Sequence, residues 1–384
     1  MKKVVFATGS RADYGIVRNY LKLLNDDKEI NLGILATGAL LSSEYGHQVD
    51  LIYDDGYAVD KEIDIEVNSA SIEGTIHSMA VALDKFGEYF SKIKPDLLIV
   101  LGDRYEMMSV AIAAAMNRIP ILHIHGGEAT YGNYDEFIRH SITKMSSYHF
   151  ASTDEYRKRI IQLGEREDRV FNLGALGALN CLNIEEKKVS QDVKGLANSK
   201  YFVVLFHPET LSDISVSEQT EELLSAIDRQ GPEIRFAFIG SNADTHSDSI
   251  RKLIKNYVRK HYKCIYFENL TTSGYHFLVK KSLGLIGNSS SGIIEVPSLG
   301  TMTINIGNRQ AGRVRGNSII DVPCDCEKIS EAINQIIRGG IPNKIINPYL
   351  KLDALDQYYK RTIEILRRID EGECRSPKEF IDVI

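Results

Sequence analysis

The chain has no apolar stretch long enough to span a bilayer, which excludes a membrane-spanning helix. Its opening, MKKVVFATGS, starts basic but turns polar and glycine-bearing after a short apolar run, so it reads as a first strand and not as a signal peptide. Cysteine is sparse: five residues (Cys181, Cys264, Cys324, Cys326 and Cys374), odd in number and scattered. That excludes a disulfide framework and suits a reducing cytosol. Cys324 and Cys326 form a lone CxC with no second pair or histidine nearby, so no metal site is assigned. There is no excess of positive charge. With 46 Lys+Arg against 52 Asp+Glu the net charge is -6, which argues against nucleic acid or an anionic membrane as the main partner. Neither GxGxxG nor GxxxxGK[ST] occurs, so neither a dinucleotide fingerprint nor a P-loop is supported. Internal repeats and low-complexity segments are also missing.

What is present is alternation. Short β-branched runs occur at 3–8, 30–37, 96–102, 119–124, 148–152 and 169–174, then at 201–207, 234–240, 263–269, 283–288, 301–307 and 318–322. Helical-period stretches lie between them, among them 13–25, 70–93, 103–117, 134–146 and 153–163. Runs apolar on both faces are what a parallel sheet covered by helices requires. A chain of 384 residues exceeds one ordinary core. The expectation is an α/β protein of two doubly wound, Rossmann-like domains facing each other across a cleft: 1–182 and 183–351, with the boundary in the polar stretch 183–200. The pattern KLDALDQYYKRTIEILRRIDEG (351–372) follows the last strand and belongs to no βα unit. It predicts a helix returning to the first domain, which would then include 352–384.

Polar residues collect after the strands: GSRADYG, GDRYE and HIHGGE in the first half, HPET, GSNAD and GNSSSG in the second. Open parallel sheets bind ligands beyond the carboxyl ends of their strands, so one cleft lined by six loops is expected. Ser289, Ser290 and Ser291 lie at a strand-to-helix turn that suits a phosphate, and Glu295, one turn on, suits ribose hydroxyls. The competing reading is plain serine capping with a solvated glutamate. Arg309, Arg313 and Arg315 follow in a glycine-rich loop, where guanidinium groups suit phosphate. Arg11 points from the first loop, where Asp13 can serve as an N-cap. Asn242 in GSNAD and Asn269 in YFEN complete the nucleotide set.

The densest stretch is HIHGGEATYGNYDEFIRH (123–140). His123 reads as a satisfied core histidine, whereas His125 lies at the strand end. Asp103 ends the neighbouring strand, and His207 is its counterpart in the second half. With Asp135, Glu136 and Arg139 on the following helix, and Glu128 in reserve, these groups are acid–base equipment. The plain alternative is a helix start, with Asn133 and Glu136 as a capping-box variant and Asp135–Arg139 as an i, i+4 pair.

In GSRADYG, GDR, HIHGGE…DEFIRHSITK, HPET, GSNAD and GNSSSGIIE…GNRQAGR, over about residues 3 to 370, the chain closely resembles the hydrolysing UDP-N-acetylglucosamine 2-epimerases of bacterial sialic-acid synthesis. The resemblance implies a fold like that of GT-B glycosyltransferases and no metal, nicotinamide or other cofactor. It implies nucleotide contacts at Arg11, Ser289, Ser290, Glu295 and Arg309, and a catalytic group of Asp103, His125, Asp135 and His207 beside Arg139. It also implies a reaction: UDP-N-acetylglucosamine and water give N-acetylmannosamine and UDP through a 2-acetamidoglucal. Non-hydrolysing relatives carry Glu where this chain has His125. A homo-oligomer, dimer or tetramer, is expected. The alternatives are a related hydrolysing epimerase acting on GDP-N-acetylglucosamine or a UDP-diacetamido-trideoxy sugar, a glycosyltransferase with the same donor cleft, or a sensor without turnover.

Overall fold

The computed structural model describes residues 1–42, 47–68, 71–131, 135–207, 209, 214–240, 247–268, 270–374 and 378–382, with 247–250 described by backbone alone. The chain forms two units. The first comprises Met1–Glu128, Tyr134–Leu176 and Lys351–Ile384, and the second Ala129–Asn133 and Gly177–Leu350.

In the first unit, strands β1 (Lys2–Thr8), β2 (Ile30–Thr37), β3 (Val59–Ile63), β4 (Leu97–Leu101), β5 (Ile121–Ile124), β6 (Tyr148–Ala151) and β7 (Val170–Asn172) form one sheet in the order β3-β2-β1-β4-β5-β6-β7. Every neighbouring pair is parallel. In the second, β8 (Tyr201–Leu205), β9 (Arg235–Ile239), β10 (Cys264–Phe267), β11 (Gly284–Gly287), β12 (Met302–Ile306) and β13 (Ile319–Val322) run in the order β10-β9-β8-β11-β12-β13, again all parallel. Counted from its own first strand, each sheet winds 3-2-1-4-5-6, and the first adds one strand. The fold is two doubly wound α/β units, as the alternation predicts. The strand order reverses between β1 and β4, and between β8 and β11. Those are the topological switch points at which ligands bind in such sheets.

Strand β8 shows why the runs are apolar throughout. Phe202, Val204 and Phe206 pack on one face with Leu223 and Ile333, while Tyr201 and Val203 pack on the other with Val193 and Leu278. Each such side chain contributes roughly 1.5–3 kcal/mol by leaving water. The unexpected strand is β3, VDKEI, an edge strand with three exposed residues. An edge needs no apolar alternation and is kept from aggregating by charge, so it leaves no hydrophobic signature.

The helix Ala354–Asp370 belongs to the first unit. It buries Ala354, Tyr358, Thr362, Ile365 and Leu366, a single face at helical spacing. The Tyr358 hydroxyl donates to the Gly174 carbonyl at 2.9 Å, and its ring packs edge-on against Tyr20 and Phe150, with centroids 5.5 and 4.9 Å away. Tyr20 and Thr362 share a buried hydroxyl–hydroxyl bond of 2.6 Å. Among the described residues no helix is long and apolar enough to cross a membrane.

Candidate active site

At the strand ends of the first unit the organising group is Arg139. It lies on the helix Asp135–Met145 with its side chain 1 % exposed. One terminal nitrogen donates to a Glu136 carboxylate oxygen at 2.8 Å and to the Glu128 carbonyl at 2.9 Å; the other donates to Asp103. A guanidinium is the one side chain whose rigid fork serves three acceptors at once. Its burial is tolerable only because its charge is met by two carboxylates. Asp103, just past β4, and Glu136, in the first turn of the helix, are therefore held together although they are 33 positions apart in sequence. Glu136 also faces His140 at 3.2 Å. Asp135 sits half-buried on the first turn of the same helix.

The end of β5 separates two histidines by role. His123 is fully buried, with Nδ1 3.1 Å from Thr143 Oγ1 and Nε2 2.8 Å from the Gly102 carbonyl. Burial pushes its pKa down to about 3, so it is a neutral structural ring. His125, two residues on, leaves the strand at φ +64°. A side-chain-bearing residue in this left-handed region is strained by about 1–2 kcal/mol; its N–H is fixed to the Phe150 carbonyl at 2.9 Å. The ring lies 3.7 Å from Glu128, a buried carboxylate that accepts from Ser152 at 2.7 Å. Strain of this kind concentrates at functional sites.

The switch point itself carries a second charged group. Ser10 is the N-cap of the helix Arg11–Asp26 and accepts from the Asp13 N–H at 3.2 Å, while its hydroxyl donates to the Asp13 carboxylate at 2.7 Å. Asp13 is thus the third residue of the helix and not its cap, a correction to the sequence expectation. Burial raises its pKa to about 6 against the pull of Arg104, with Glu106 and Asp103 pushing the same way as burial. Glu106 is wholly buried and bonded to Arg104 Nε. Glycine at residue 9 leaves room for it: a Cβ there would sit 2.2 Å from its Oε1, so the carboxylate would have to shift. Arg11, by contrast, is exposed.

In the second unit, Gly287 ends β11 at φ +148°, where a Cβ would lie 1.8 Å from the Leu205 carbonyl oxygen, so no other residue is accommodated. Asn288 then ties the two central strands together. Its amide accepts from the His207 N–H at 2.8 Å and donates to the His207 carbonyl at 2.9 Å. Its own carbonyl receives Arg309 at 3.1 Å and Gln310 at 3.0 Å. Ser289 caps the short helix Ser290–Ile294. The Ser291 hydroxyl donates to Glu295 at 2.6 Å and lies 2.9 Å from Tyr275; Glu295 also faces His276 at 3.6 Å. Burial would raise Glu295, but these partners outweigh it and hold its pKa below the ordinary value. Arg313 is half-buried in the same loop, whereas Arg315 is committed to Asp321 at 2.9 Å and is structural.

The structure therefore gathers Asp103, His125, Glu136 and Arg139 in one unit, and His207, Ser289, Ser290, Ser291, Glu295 and Arg309 at the switch point of the other. Asn242, Asn269 and the Asn133 of the capping-box reading lie outside the described residues. Sequence reasoning missed Asn288, Glu106 and His276. Glu106 had a signal, being the lone charge in the apolar helix YEMMSVAIAAAM. A cavity of about 1130 Å³, lined by Phe171, Asn172, Lys351 and Arg361, lies beside edge strand β7 and contains none of the expected site residues.

The family model for UDP-N-acetylglucosamine 2-epimerase matches residues 22–362. The chain belongs to that family. It is similar to the polysialic acid biosynthesis protein P7 of Escherichia coli, with 48 % identity covering 100 % of this chain and 98 % of that one. It is also similar to the GDP/UDP-N,N'-diacetylbacillosamine 2-epimerase (hydrolyzing) of Campylobacter jejuni, with 36 % identity over 92 % of this chain and 97 % of the other. Among solved structures, the Neisseria meningitidis UDP-GlcNAc 2-epimerase bound to UDP-GlcNAc superposes with a TM-score of 0.79 at 19 % identity, covering 94 % of this chain and all of that one. The S. aureus MnaA–UDP co-structure gives 0.80 at 16 %, covering 99 % and 100 %. At those identities the superpositions speak for the fold.

Proposed function

We propose that this family member is a hydrolysing 2-epimerase, converting UDP-N-acetylglucosamine and water into N-acetylmannosamine and UDP for sialic-acid synthesis. The observation that carries the reading is the buried Arg139 fork, which holds Asp103 and Glu136 as a fixed carboxylate pair in the unit that also carries the strained His125. The C2 hydrogen of the sugar is not acidic, so a base can remove it only as the C1–O bond breaks and UDP leaves. Carboxylates beside the ring stabilise the positive charge that develops at C1. The product of this half is a 2-acetamidoglucal. Water then adds, its hydroxyl going to C1 and a proton to C2 on the opposite face, which inverts that centre. Two faces call for two proton-handling groups, and Asp103 and Asp135 are assigned these roles, with His125 and His207 relaying. The serine turn and Arg309 suit the diphosphate, whose developing charge must be held for UDP to leave. The 48 % identity to a polysialic acid biosynthesis protein over the whole chain supports the sialic-acid setting.

A second substrate, UDP-N,N'-diacetylbacillosamine, is favoured by the 36 % identity to the Campylobacter jejuni enzyme. Incubation with each nucleotide sugar in D₂O, followed by NMR, separates the two and tests the mechanism. The expected product is N-acetylmannosamine carrying deuterium at C2, formed with UDP. Retention of the substrate's own C2 hydrogen sinks the elimination, and release of a UDP-linked epimer sinks hydrolysis.

A further inference from the structure

The helix that carries Glu136 and Arg139 is held at its far end by residues near the C-terminus. A helix leaves its last carbonyls without intrahelical donors, and a cation there also meets the negative end of the helix dipole. Here the donor is Lys378. Its ammonium donates to the Lys144 carbonyl at 2.8 Å, the Thr143 carbonyl at 3.2 Å and the Ser146 carbonyl. It also pairs with Glu165 at 2.6 Å. Glu165 is buried and receives Lys144 at 2.7 Å and His149 at 3.1 Å. Burial alone would raise this carboxyl, but His149, Lys378 and Lys144 bring it down to about 2, so it stays ionised.

The residues that follow are fixed as well. The Ile381 N–H donates to the Gly164 carbonyl at 3.1 Å, and the Phe380 ring lies 4.8 Å from the Lys144 ammonium. That ring also lies so close to Gly164 that a Cβ there would sit 2.5 Å from it. From the anchored turn the contacts lead straight to the charged group. Thr143, whose carbonyl Lys378 holds, donates through its hydroxyl to the Arg139 carbonyl at 3.0 Å and lies 3.1 Å from His123. His123 in turn reaches the carbonyl of Gly102, the residue before Asp103, at 2.8 Å.

We propose that Lys378 is a positioning residue for the reaction, setting the placement of Arg139 and its two carboxylates by fixing the last turn of their helix. The inference rests on the reading that Glu136 and Arg139 serve the chemistry. Displacement of such groups by about 1 Å costs on the order of 100-fold in rate. The test compares full-length Lys378→Met, Lys378→Arg, Phe380→Ala and Glu136→Gln. For Lys378→Met, kcat should fall roughly 10- to 100-fold with KM and UDP affinity within about twofold. Amide exchange over Ile138–Met145 should quicken, and Lys378→Arg should restore part of the rate. Phe380→Ala should shift kcat and exchange the same way but less, and it stands in if Lys378→Met does not fold. Wild-type kcat in Lys378→Met alongside an impaired Glu136→Gln overturns the inference alone. Loss of rate that merely tracks the unfolded fraction, or unchanged exchange along the helix, overturns it too. Wild-type kcat in Glu136→Gln brings down the functional reading and the inference together.

Discussion

The two switch points share a strand order and differ in how their polar groups are held. In the first unit, charge holds charge: Arg139 grips Asp103 and Glu136, and Arg104 grips Glu106. In the second, amide, hydroxyl and backbone groups predominate: Asn288 clamps His207 by its main chain, and Glu295 is held by His276 and by Ser291, whose hydroxyl also meets Tyr275. A proton-transfer site needs ionisable groups kept at fixed distances, which buried ion pairs provide. A phosphate site needs donors left over for the ligand, and an amide scaffold such as Asn288 adds no charge of its own, although the Glu295 carboxylate already takes the Ser291 hydroxyl. One topology thus carries two kinds of polar scaffold, separated by the kind of bond that holds each side chain.

The contrast is broken most severely at Arg139. Removing a buried partner of two carboxylates costs about 3–5 kcal/mol of stability and an acid–base group typically contributes about 100- to 10,000-fold in rate. Arg139→Met should show both losses in denaturant titration and turnover. Arg139→Lys keeps the charge but loses the planar fork that aims separate nitrogens at Asp103 and Glu136, so it should fold and still lose roughly 100-fold in kcat. A lysine variant within about twofold of wild type means that the fork is packing and not chemistry.

Arg309 gives the next largest effect. Arg309→Ala should weaken UDP binding about tenfold or more by calorimetry, the usual scale for a lost charge-assisted bond. The turnover number at saturating substrate should fall less. Unchanged UDP affinity removes this arginine from the nucleotide set. If kcat falls as steeply as affinity, the division of labour between the two switch points is wrong.

The smallest effect is at Asp13. A carboxyl whose pKa is raised in the folded state binds its proton more tightly there than when unfolded. Its contribution to stability is therefore greatest below the ordinary Asp range and is lost as pH rises through about 6. Asp13→Asn removes that loss while keeping an acceptor for Ser10. The variant should melt roughly 1–2 °C above wild type at pH 8 and coincide with it near pH 4. A variant less stable at pH 8 shows that ionised Asp13 is a net favourable partner of Arg104.

The sheets were legible in the sequence because every central strand is covered on both faces and is therefore apolar along its length. Strand β3 was not, since solvent leaves it polar. His123 and His125 were separable by their places along the run, the first inside the apolar strand and the second past its end. Asp103 was placed on the neighbouring strand end from the sequence, but which side chains bond across the sheet was not read. Asp103 and Arg139 meet only because β4 and β5 are neighbours, and Asn288 finds His207 only because β11 lies beside β8. Ser291 illustrates the same limit: its hydroxyl is engaged by Glu295 and Tyr275, partners that its own turn does not reveal.

The returning helix Ala354–Asp370 also sets an order of assembly in time. Tyr20, Phe150 and Gly174 gain their contacts with Tyr358 and Thr362 only when that helix arrives. As the chain leaves the ribosome, the unit synthesised first must wait, one apolar face uncovered, until residues 354–370 emerge. The 177–350 segment reaches completion earlier. Truncating the chain before residue 354 should therefore harm the half that is made first.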